Sequence, residues 1–567
     1  MNKRWVIAPG EPALSETLAG ELCIPNALAQ VLINRGLRDA ASARRFLNPQ
    51  LRELTDPFDL PDMSKAVGRL LLAIGNKERI VIYGDYDVDG VTSTSLLTQV
   101  LRHASAVVSH FLPHRMDEGY GLSDDGVARC LKEHNPQLLI AVDCGTSSAR
   151  EIASLKKHGV DTIVLDHHEP PGALPACAAV VNPKRIEENH APWAALASVG
   201  VTFKLAHALQ KRAREKGLTW ERNLDLRDHL DLLAVGTVAD LVPLTGENRI
   251  LVKAGLERLP HTQKAGLRAL MDVADVPDQV TPYHIGFRIG PRLNAAGRIG
   301  DALAALELLL TDDTARGAQL AKMLDDHNAA RQRIEKQICE EAMAMARTHE
   351  RDRVLVLAKE GWHVGVIGIV ASRIQQAFYR PAVIIGTEKG EGKGSCRSIS
   401  GVSIVDALTA CAPLLERYGG HEMAAGLSIK TEKIPELRRA LNEYAAKMMK
   451  EEDLQPRIRI DAVIRLDELD AAFFDQLQRL EPCGIDNPSP VFTAHQVKLR
   501  GAARVVGKDH LKFAVTQDGT AVDAIWFGEA DRELPSGAFD IAFAPELNEY
   551  GGAASAQLKV KDVRVAG

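Results

Sequence analysis

The residues Asp85, Asp87 and Asp89 alternate within IVIYGDYDVDGVTSTSLL, the stretch from Ile80 to Leu97. Carboxylates held this close repel one another and raise each other's pKa unless divalent cations neutralise them. The same acids also fit a solvated turn that helps cap the next helix, since aspartate is favourable near a helix N-terminus. Companion ligands further along the chain decide between the two.

Those companions depend on the elements that would deliver them. Ile80, Val81 and Ile82 read as a buried parallel strand, and Gly84 and Gly90 as the bounds of a turn leading into a helix at Thr92 to Leu101. From Ile80 to about Pro243 short apolar runs alternate with helical stretches, the signature of a parallel sheet with crossover helices. In such sheets ligands gather at the carboxyl ends of the strands. The run Gln137 to Val142 ends in Asp143-Cys144-Gly145, and Thr162 to Leu165 ends in Asp166-His167-His168. Leu232 to Val238 ends in Asp240 and reads equally as a strand or as the end of a helix. One aspartate in such a place is ordinarily a cap, and one histidine ordinarily structural. Repeated delivery of acids and imidazoles, beginning with a triple-Asp turn, points to one shared metal site. Oxygen-rich ligation with one or two imidazoles suits Mn²⁺ or Mg²⁺, and the single thiol of Cys144 does not make a zinc site. The acids suffice for two ions, roughly 3.5 to 4 Å apart with a bridging carboxylate, which would activate a water for in-line phosphoryl displacement. The chemistry expected is phosphoester hydrolysis.

In their order, GDYDVDG, VDCG, DHH and GTVAD resemble the four motifs of the DHH phosphoesterase superfamily. The resemblance implies that Asp87 and Asp89 are metal ligands, that Asp143 bridges the ions and that His167 and Asp240 complete the site. His168 then faces the substrate phosphate, and Asp143, His168 and Asp166 form the catalytic set. Small-substrate members carry a histidine where this chain has Tyr83, and Asp85 is the candidate replacement ligand.

Further features concern the substrate. PHRMDEGYGLS places His114 and Arg115 after a strand at Ala106 to Leu112, and FRIGPRLNAAGRIGDA sets Arg288, Arg292, Asn294 and Arg298 among small residues. Any one arginine reads as a surface or salt-bridging residue; clustered with glycine and asparagine they read as phosphate clamps. The proline-free stretch from Asp312 to about Thr348 predicts a connecting helix spanning roughly 50 Å. A second unit, from Val354, resembles the DHH-associated domain, with Ser395, Arg397, Gly420 and His421 as its substrate-facing residues. Short alternating runs from Arg457 to Leu466 and from Val491 to Val563 predict a small antiparallel barrel of the oligonucleotide-binding kind. Phe513, Trp526 and Phe527 are its stacking candidates, each also readable as core.

The expected fold is therefore α/β: a helical extension at 1–50, a parallel-sheet DHH catalytic domain at 51–305, a long connecting helix at 306–350, a DHH-associated α/β domain at 351–450 and an OB-like β-barrel at 455–567. A chain of 567 residues is long enough for three or four such cores. No apolar run approaches a membrane span and the N-terminus lacks a signal-peptide core, so a cytoplasmic protein is expected. Eight cysteines scattered without a CxxC pair fit a reducing compartment. A net charge of −6 leaves room for a local basic groove.

The whole arrangement resembles the superfamily's single-strand-specific exonucleases. That implies degradation of single-stranded DNA from a 5′ end to mononucleotides, in repair and recombination, with a single-strand-binding protein and a RecQ-type helicase as partners and no membrane. A compact DHH phosphodiesterase for oligoribonucleotides or cyclic dinucleotides would share the metal motifs but need neither the extension nor the barrel. An inactive DNA-binding accessory protein would be expected to lack some of the acids.

Overall fold

The run RIVIYG forms a strand at Arg79–Gly84, buried from Ile80 onward, because β-branched side chains pack well on both faces of a covered sheet. The computed structural model describes residues 3–113, 121–186, 190–548 and 555–566. The strand lies second in a parallel five-stranded sheet ordered Val107–Phe111, Arg79–Gly84, Leu138–Val142, Asp161–Leu165, Ala179–Val181. Val81, Tyr83, Leu139, Ala141 and Val164 pack against Val127, Cys130, Ile152 and Leu155 of the helices on one face. Ile80, Ile82, Leu138, Ile140 and Leu165 join the main core with residues of Val88–His103, Ser198–Glu215 and Leu230–Ala239 on the other. The strand order reverses between Arg79–Gly84 and Leu138–Val142, so a crevice opens at their carboxyl ends.

The helix after the first strand begins at Val88, not Thr92, because Asp87 caps it by accepting the Gly90 N–H at 3.0 Å. Gly90 is thus inside the first helical turn, where a Cβ would lie 2.5 Å from the Asp85 carbonyl. The stretch ending in Asp240 is helix throughout, and its burial on every side erases the periodicity that separates helix from strand in sequence.

A helix at Thr314–Thr348, 35 residues long and capped by Asp313, links two cores. Leu320, Ala321 and Leu324 seat its first half on the parallel-sheet unit, and Ile338, Ala342 and Ala346 seat its second half on the next. That unit is a mixed sheet ordered Arg417–His421, Ala424–Lys430, Glu391–Arg397, Ala382–Glu388, Leu355–Glu360, parallel only in its last pair. Beyond it the strands Phe492–Leu499, Phe539–Asn548, Ser555–Val565, Thr520–Trp526 and His510–Gln517 close into a barrel as Lys498 and Leu499 pair with Thr516 and Val515. Phe513 and Trp526 belong to the barrel core, while Phe527 is 45% exposed. Of the three stacking candidates Phe527 is the exposed one, with the His510 ring 4.8 Å away edge-on and Lys559 Nζ 5.2 Å from its centroid.

The N-terminal extension contains more than the expected short helices. Arg4–Ile7 is a strand paired in parallel with Arg457–Ile460, and a helix at Pro12–Leu22 precedes those at Asn26–Asn34 and Ala40–Leu47. Leu28, Leu32 and Leu47 share a core with Phe473, Phe492 and Phe539, so the extension is part of the barrel unit.

Arg249 fastens that unit to the parallel-sheet unit. Its buried guanidinium donates to the carbonyls of Phe46 (2.8 Å), Arg479 (3.0 Å), Leu480 (3.0 Å), Glu481 (2.9 Å) and Pro482 (3.2 Å) and lies 3.8 Å from the Phe46 ring centroid. Burial lowers its pKa to about 10, still charged at neutral pH. Arg249→Met leaves those carbonyls buried and unpaired. It is expected to cost roughly 3 to 5 kcal/mol, read as a lower urea midpoint.

Candidate metal centre

At the crevice the strand ends converge. Asp85 and Asp87 follow the first strand, Asp89 sits in the first turn of its helix, and Asp143 follows Val142 with a left-handed backbone, φ 62°. His167 Nε2 lies 3.5 Å from Asp143 Oδ1, 3.4 Å from Asp240 Oδ2 and 4.0 Å from Asp89 Oδ2. Among the described residues three groups have ligand atoms within 4.8 Å of one another: Asp89, His167 and Asp240; Asp85, Asp87 and Asp143; and Asp143, His167 and His168. Asp143 belongs to two of these groups, the geometry a bridging carboxylate requires.

The donors are prepared for a cation. His167 Nε2 and Asp240 Oδ2 are buried without a hydrogen-bond partner among the described residues. Asp89 is held by the N–H groups of Ser198 (2.7 Å) and Val199 (2.8 Å) at the start of a helix, and the Ser198 hydroxyl donates to Asp143 at 2.9 Å. Burial, then the charge of Asp87, pushes Asp89 up to about 7. Burial, then Asp89 and Asp87, pushes Asp240 up to about 9. Asp85 and Asp143 are raised well above the usual range by burial and then by Asp87. Burial holds His167 down to about 3, leaving a neutral imidazole with a free lone pair. Carboxylates with one or two neutral imidazoles fit Mn²⁺ or Mg²⁺.

Asp166 and His168 behave differently. Asp166 accepts from the backbone N–H of Thr146 (3.0 Å), His167 (2.8 Å) and His168 (3.2 Å), and meets His168 Nδ1 at 2.7 Å. Burial alone would raise its pKa; the His168 bond overrides burial and lowers it, while His168 is raised in return. Asp166 is therefore a positioning residue behind the histidines, not one of the ligand groups. The Tyr83 hydroxyl donates to the Gly121 carbonyl at 3.2 Å and its ring packs on Phe111. Asp85, by contrast, joins the acids.

The substrate candidates separate. His114 and Arg115 lie outside the described residues. Arg288 is engaged with the Asp275 carbonyl, and Arg292 is bound to Asp325 at 2.9 Å and to the Arg288 carbonyl at 2.7 Å, so these two stiffen a helical corner. Asn294 and Arg298 line a 190 Å³ cavity beside Leu241, the residue after Asp240. Arg298 also reaches a 490 Å³ cavity with Gly368, Ser395 and Arg397, and donates to the Gly365 carbonyl at 2.9 Å. Gly420 and His421 lie on the exposed strand Arg417–His421, outside that lining. At Gly420, φ 145°, a Cβ would strike the Ala424 carbonyl at 2.4 Å.

Sequence reasoning missed the supports. Buried Asn182 donates to Thr146 Oγ1 (3.0 Å) and to the His168 carbonyl (2.9 Å), which steadies the histidine loop. It follows the strand Ala179–Val181, so the strand-end rule that located the acids applies to it as well. Ser198 was legible only as a small polar residue opening an apolar helix.

Comparison with known proteins is consistent along the chain. The DHH family, N-terminal domain, matches residues 79–237, the DHHA1 domain residues 351–447 and the RecJ OB domain residues 460–562. The single-stranded-DNA-specific exonuclease RecJ of Bacillus subtilis is 36% identical over 99% of this chain and 71% of its own length. That of Escherichia coli is 34% identical over 95% of this chain and 96% of its own. The crystal structure of RecJ from Thermus thermophilus with Mn²⁺ superposes with a TM-score of 0.85 at 32% identity, covering 99% of this chain and 79% of that one. A structure of that protein with Mg²⁺ gives 0.78 at 30% identity, covering 99% and 78%.

The raised carboxyls make stability depend on pH. A folded pKa above the ordinary value of about 3.9 favours the fold fully at low pH and loses that contribution as pH rises through the folded value. The metal-free protein is expected to lose thermal stability from about pH 4 upward, the Asp89 contribution being gone by about 7 and that of Asp240 by about 9. Mn²⁺ binds the ionised form, so its stabilising effect should grow across the same window. Melting curves in EDTA and in Mn²⁺ at several pH values measure this; a metal-induced gain independent of pH would contradict it.

Proposed function

This chain belongs to the RecJ family, and from that membership we propose that it is a metal-dependent exonuclease specific for single-stranded DNA, degrading its substrate from the 5′ end and releasing mononucleotides. The convergence of buried acids and a neutral imidazole on the sheet's switch point, with a cationic cavity alongside, is the observation that carries this reading.

Asp85, Asp87, Asp89, Asp143, His167 and Asp240 would hold the cations, with Asp143 shared. Divalent ions bound there supply Lewis acidity that lowers the pKa of a water and offsets charge on the phosphoryl oxygens. The remaining work belongs to side chains. Asp166 fixes His168 through Nδ1 and so orients the ring toward the scissile phosphate, and the raised pKa of His168 favours the protonated, attractive form. Asp143 keeps its orientation through the Ser198 hydroxyl. Arg298, Ser395 and Arg397 hold the 5′ phosphate of the strand, with His114, Arg115 and the Gly420-His421 strand completing its path. Arg397 already contacts Ser395 Oγ at 3.2 Å, so hydroxyl and guanidinium face one anion together. Holding the terminal phosphate in one place while the next phosphodiester meets the acids fixes both polarity and step size.

Such an activity belongs to DNA repair and recombination. Its substrate must be exposed by strand separation, for which a RecQ-type helicase and a single-strand-binding protein are the partner classes. No helix among the described residues is long and apolar enough to cross a membrane. Eight free cysteines support a reducing cytoplasm.

Asp143→Ala is expected to lower Mn²⁺-dependent nucleotide release by at least about 10²- to 10³-fold. Asp166→Asn, which only loosens His168, should cost about 10- to 100-fold with metal affinity nearly kept. Product ladders from end-labelled single-stranded and duplex DNA, with metal titrations, check both. Release beginning at the 3′ end, or near-normal activity of the Asp143 variant, would remove the assignment.

A further inference from the structure

The 490 Å³ cavity is larger than one phosphate needs, and along the strand Glu391–Arg397 its cations Arg397 and Lys393 flank Ser395, two residues to either side. The strands Glu391–Arg397, Ala424–Lys430 and Arg417–His421 lie side by side, and their register aligns alternate residues on one face. Ser395 stands opposite Gly426, which stands opposite Gly419; Lys393 stands opposite Ser428, which stands opposite Arg417. The second row is two residues along the strands from the first, about 7 Å.

The first row has a stated role, since Ser395, backed by Arg397 and Arg298, holds the terminal phosphate in the reading above. The second row, Lys393 with Arg417 and the Ser428 hydroxyl, has none. Both cations are exposed, and neither has a side-chain hydrogen bond or ion pair among the described residues. Glu391, the next residue on that face of the strand, is taken up by Lys430 at 2.9 Å. The glycines Gly419 and Gly426 leave the first row bare beyond Ser395, so an anion held there meets no side chain on its way to the second row.

The two rows are oriented with respect to the acids. Gly297, beside Arg298, has its Cα position against Tyr86 of the acidic loop, where a Cβ would lie 3.1 Å from the Tyr86 carbonyl. Gly368, at the start of the helix Ile367–Phe378, packs on Ser395 and Arg397, where a Cβ would lie 3.1 Å from Ser395 Oγ. Arg298 thus joins the acidic loop to the first row, and the second row lies a further step along the sheet.

We propose that Lys393, Arg417 and Ser428 form a second anion subsite for strands whose 5′ end carries more than one phosphate. Such di- or triphosphate ends are left wherever a polymerase starts a strand from a nucleoside triphosphate. The inference rests on the assignment of Ser395 and Arg397 to the first phosphate. Additional charge-assisted contacts to two cations and a hydroxyl raise affinity for the longer end without altering the position of the phosphodiester at the acids.

The test is equilibrium binding of 3′-labelled single strands of one sequence to the full chain in EDTA, where turnover is absent. The strands end in 5′-hydroxyl, 5′-monophosphate or 5′-triphosphate, and a 5′-monophosphate strand extended at its 3′ side matches the charge of the triphosphate. The wild type should bind the triphosphate end about tenfold or more tightly than the monophosphate, and the double variant K393A/R417A should shrink that ratio to within about twofold. Equal binding of the two ends by the wild type, a ratio that the double variant keeps, or a gain reproduced by the charge-matched strand overturns the subsite. A monophosphate end that binds no better than a hydroxyl end overturns instead the assignment of the first row, which is a separate result.

Discussion

Buried negative charge is the constraint from which the molecule's organisation follows. Asp85, Asp89 and Asp143 are almost wholly removed from water, and burial of an ionised carboxylate costs several kcal/mol unless something opposes it. Part of the opposition is built from the fold: the helix opening at Ser198 offers two N–H groups to Asp89 and a hydroxyl to Asp143. The rest has to come from cations. Asp166, equally buried, shows the contrast, because it receives donors on every side and stays ionised without help.

The acids explain hydrolysis, and the way the units are joined explains selection. A helix of 35 residues with one foot on each core fixes the distance between the parallel sheet and the mixed sheet. The cationic cavity lies across that junction, lined by Arg298 from one side and by Ser395 and Arg397 from the other. The barrel is held separately, through Arg249 and the Leu244 N–H, which donates to the Ile485 carbonyl at 2.9 Å. A compact phosphodiesterase for dinucleotides would use the acids and the cavity, but it would have no need of a closed barrel fastened so firmly beside them.

Much of this was legible in the residues. Strand ends announce themselves when an apolar run stops at an acid, as Leu138–Val142 does at Asp143 and Asp161–Leu165 does at Asp166-His167. The helix ending in Asp240 was ambiguous because burial on all sides removes the polar face that reveals a helical period. Arg288 and Arg292 show the opposite failure: an arginine beside glycine and asparagine looks the same in sequence whether it awaits a phosphate or is bound to Asp275 or Asp325. The strand Arg4–Ile7 has no local signature because its partner lies more than 450 residues away, beyond the reach of any local pattern. Asp85, which the sequence offers as the replacement ligand where Tyr83 stands, lies in one group with Asp87 and Asp143.

That distant pairing bears on how the protein is made. Leu28, Leu32 and Leu47 leave the ribosome long before Phe492 and Phe539, the residues that will cover them. Their apolar faces must remain exposed, or borrow temporary cover, while two complete α/β units are synthesised and folded in between. The unit most concerned with catching a strand therefore matures only after the two α/β units, because its core is drawn from segments on either side of them. Such a high sequence separation of core contacts slows assembly and gives chaperones a defined interval in which to act. A partly synthesised chain can possess its acids and its cation sites, yet it has no finished barrel with which to hold DNA.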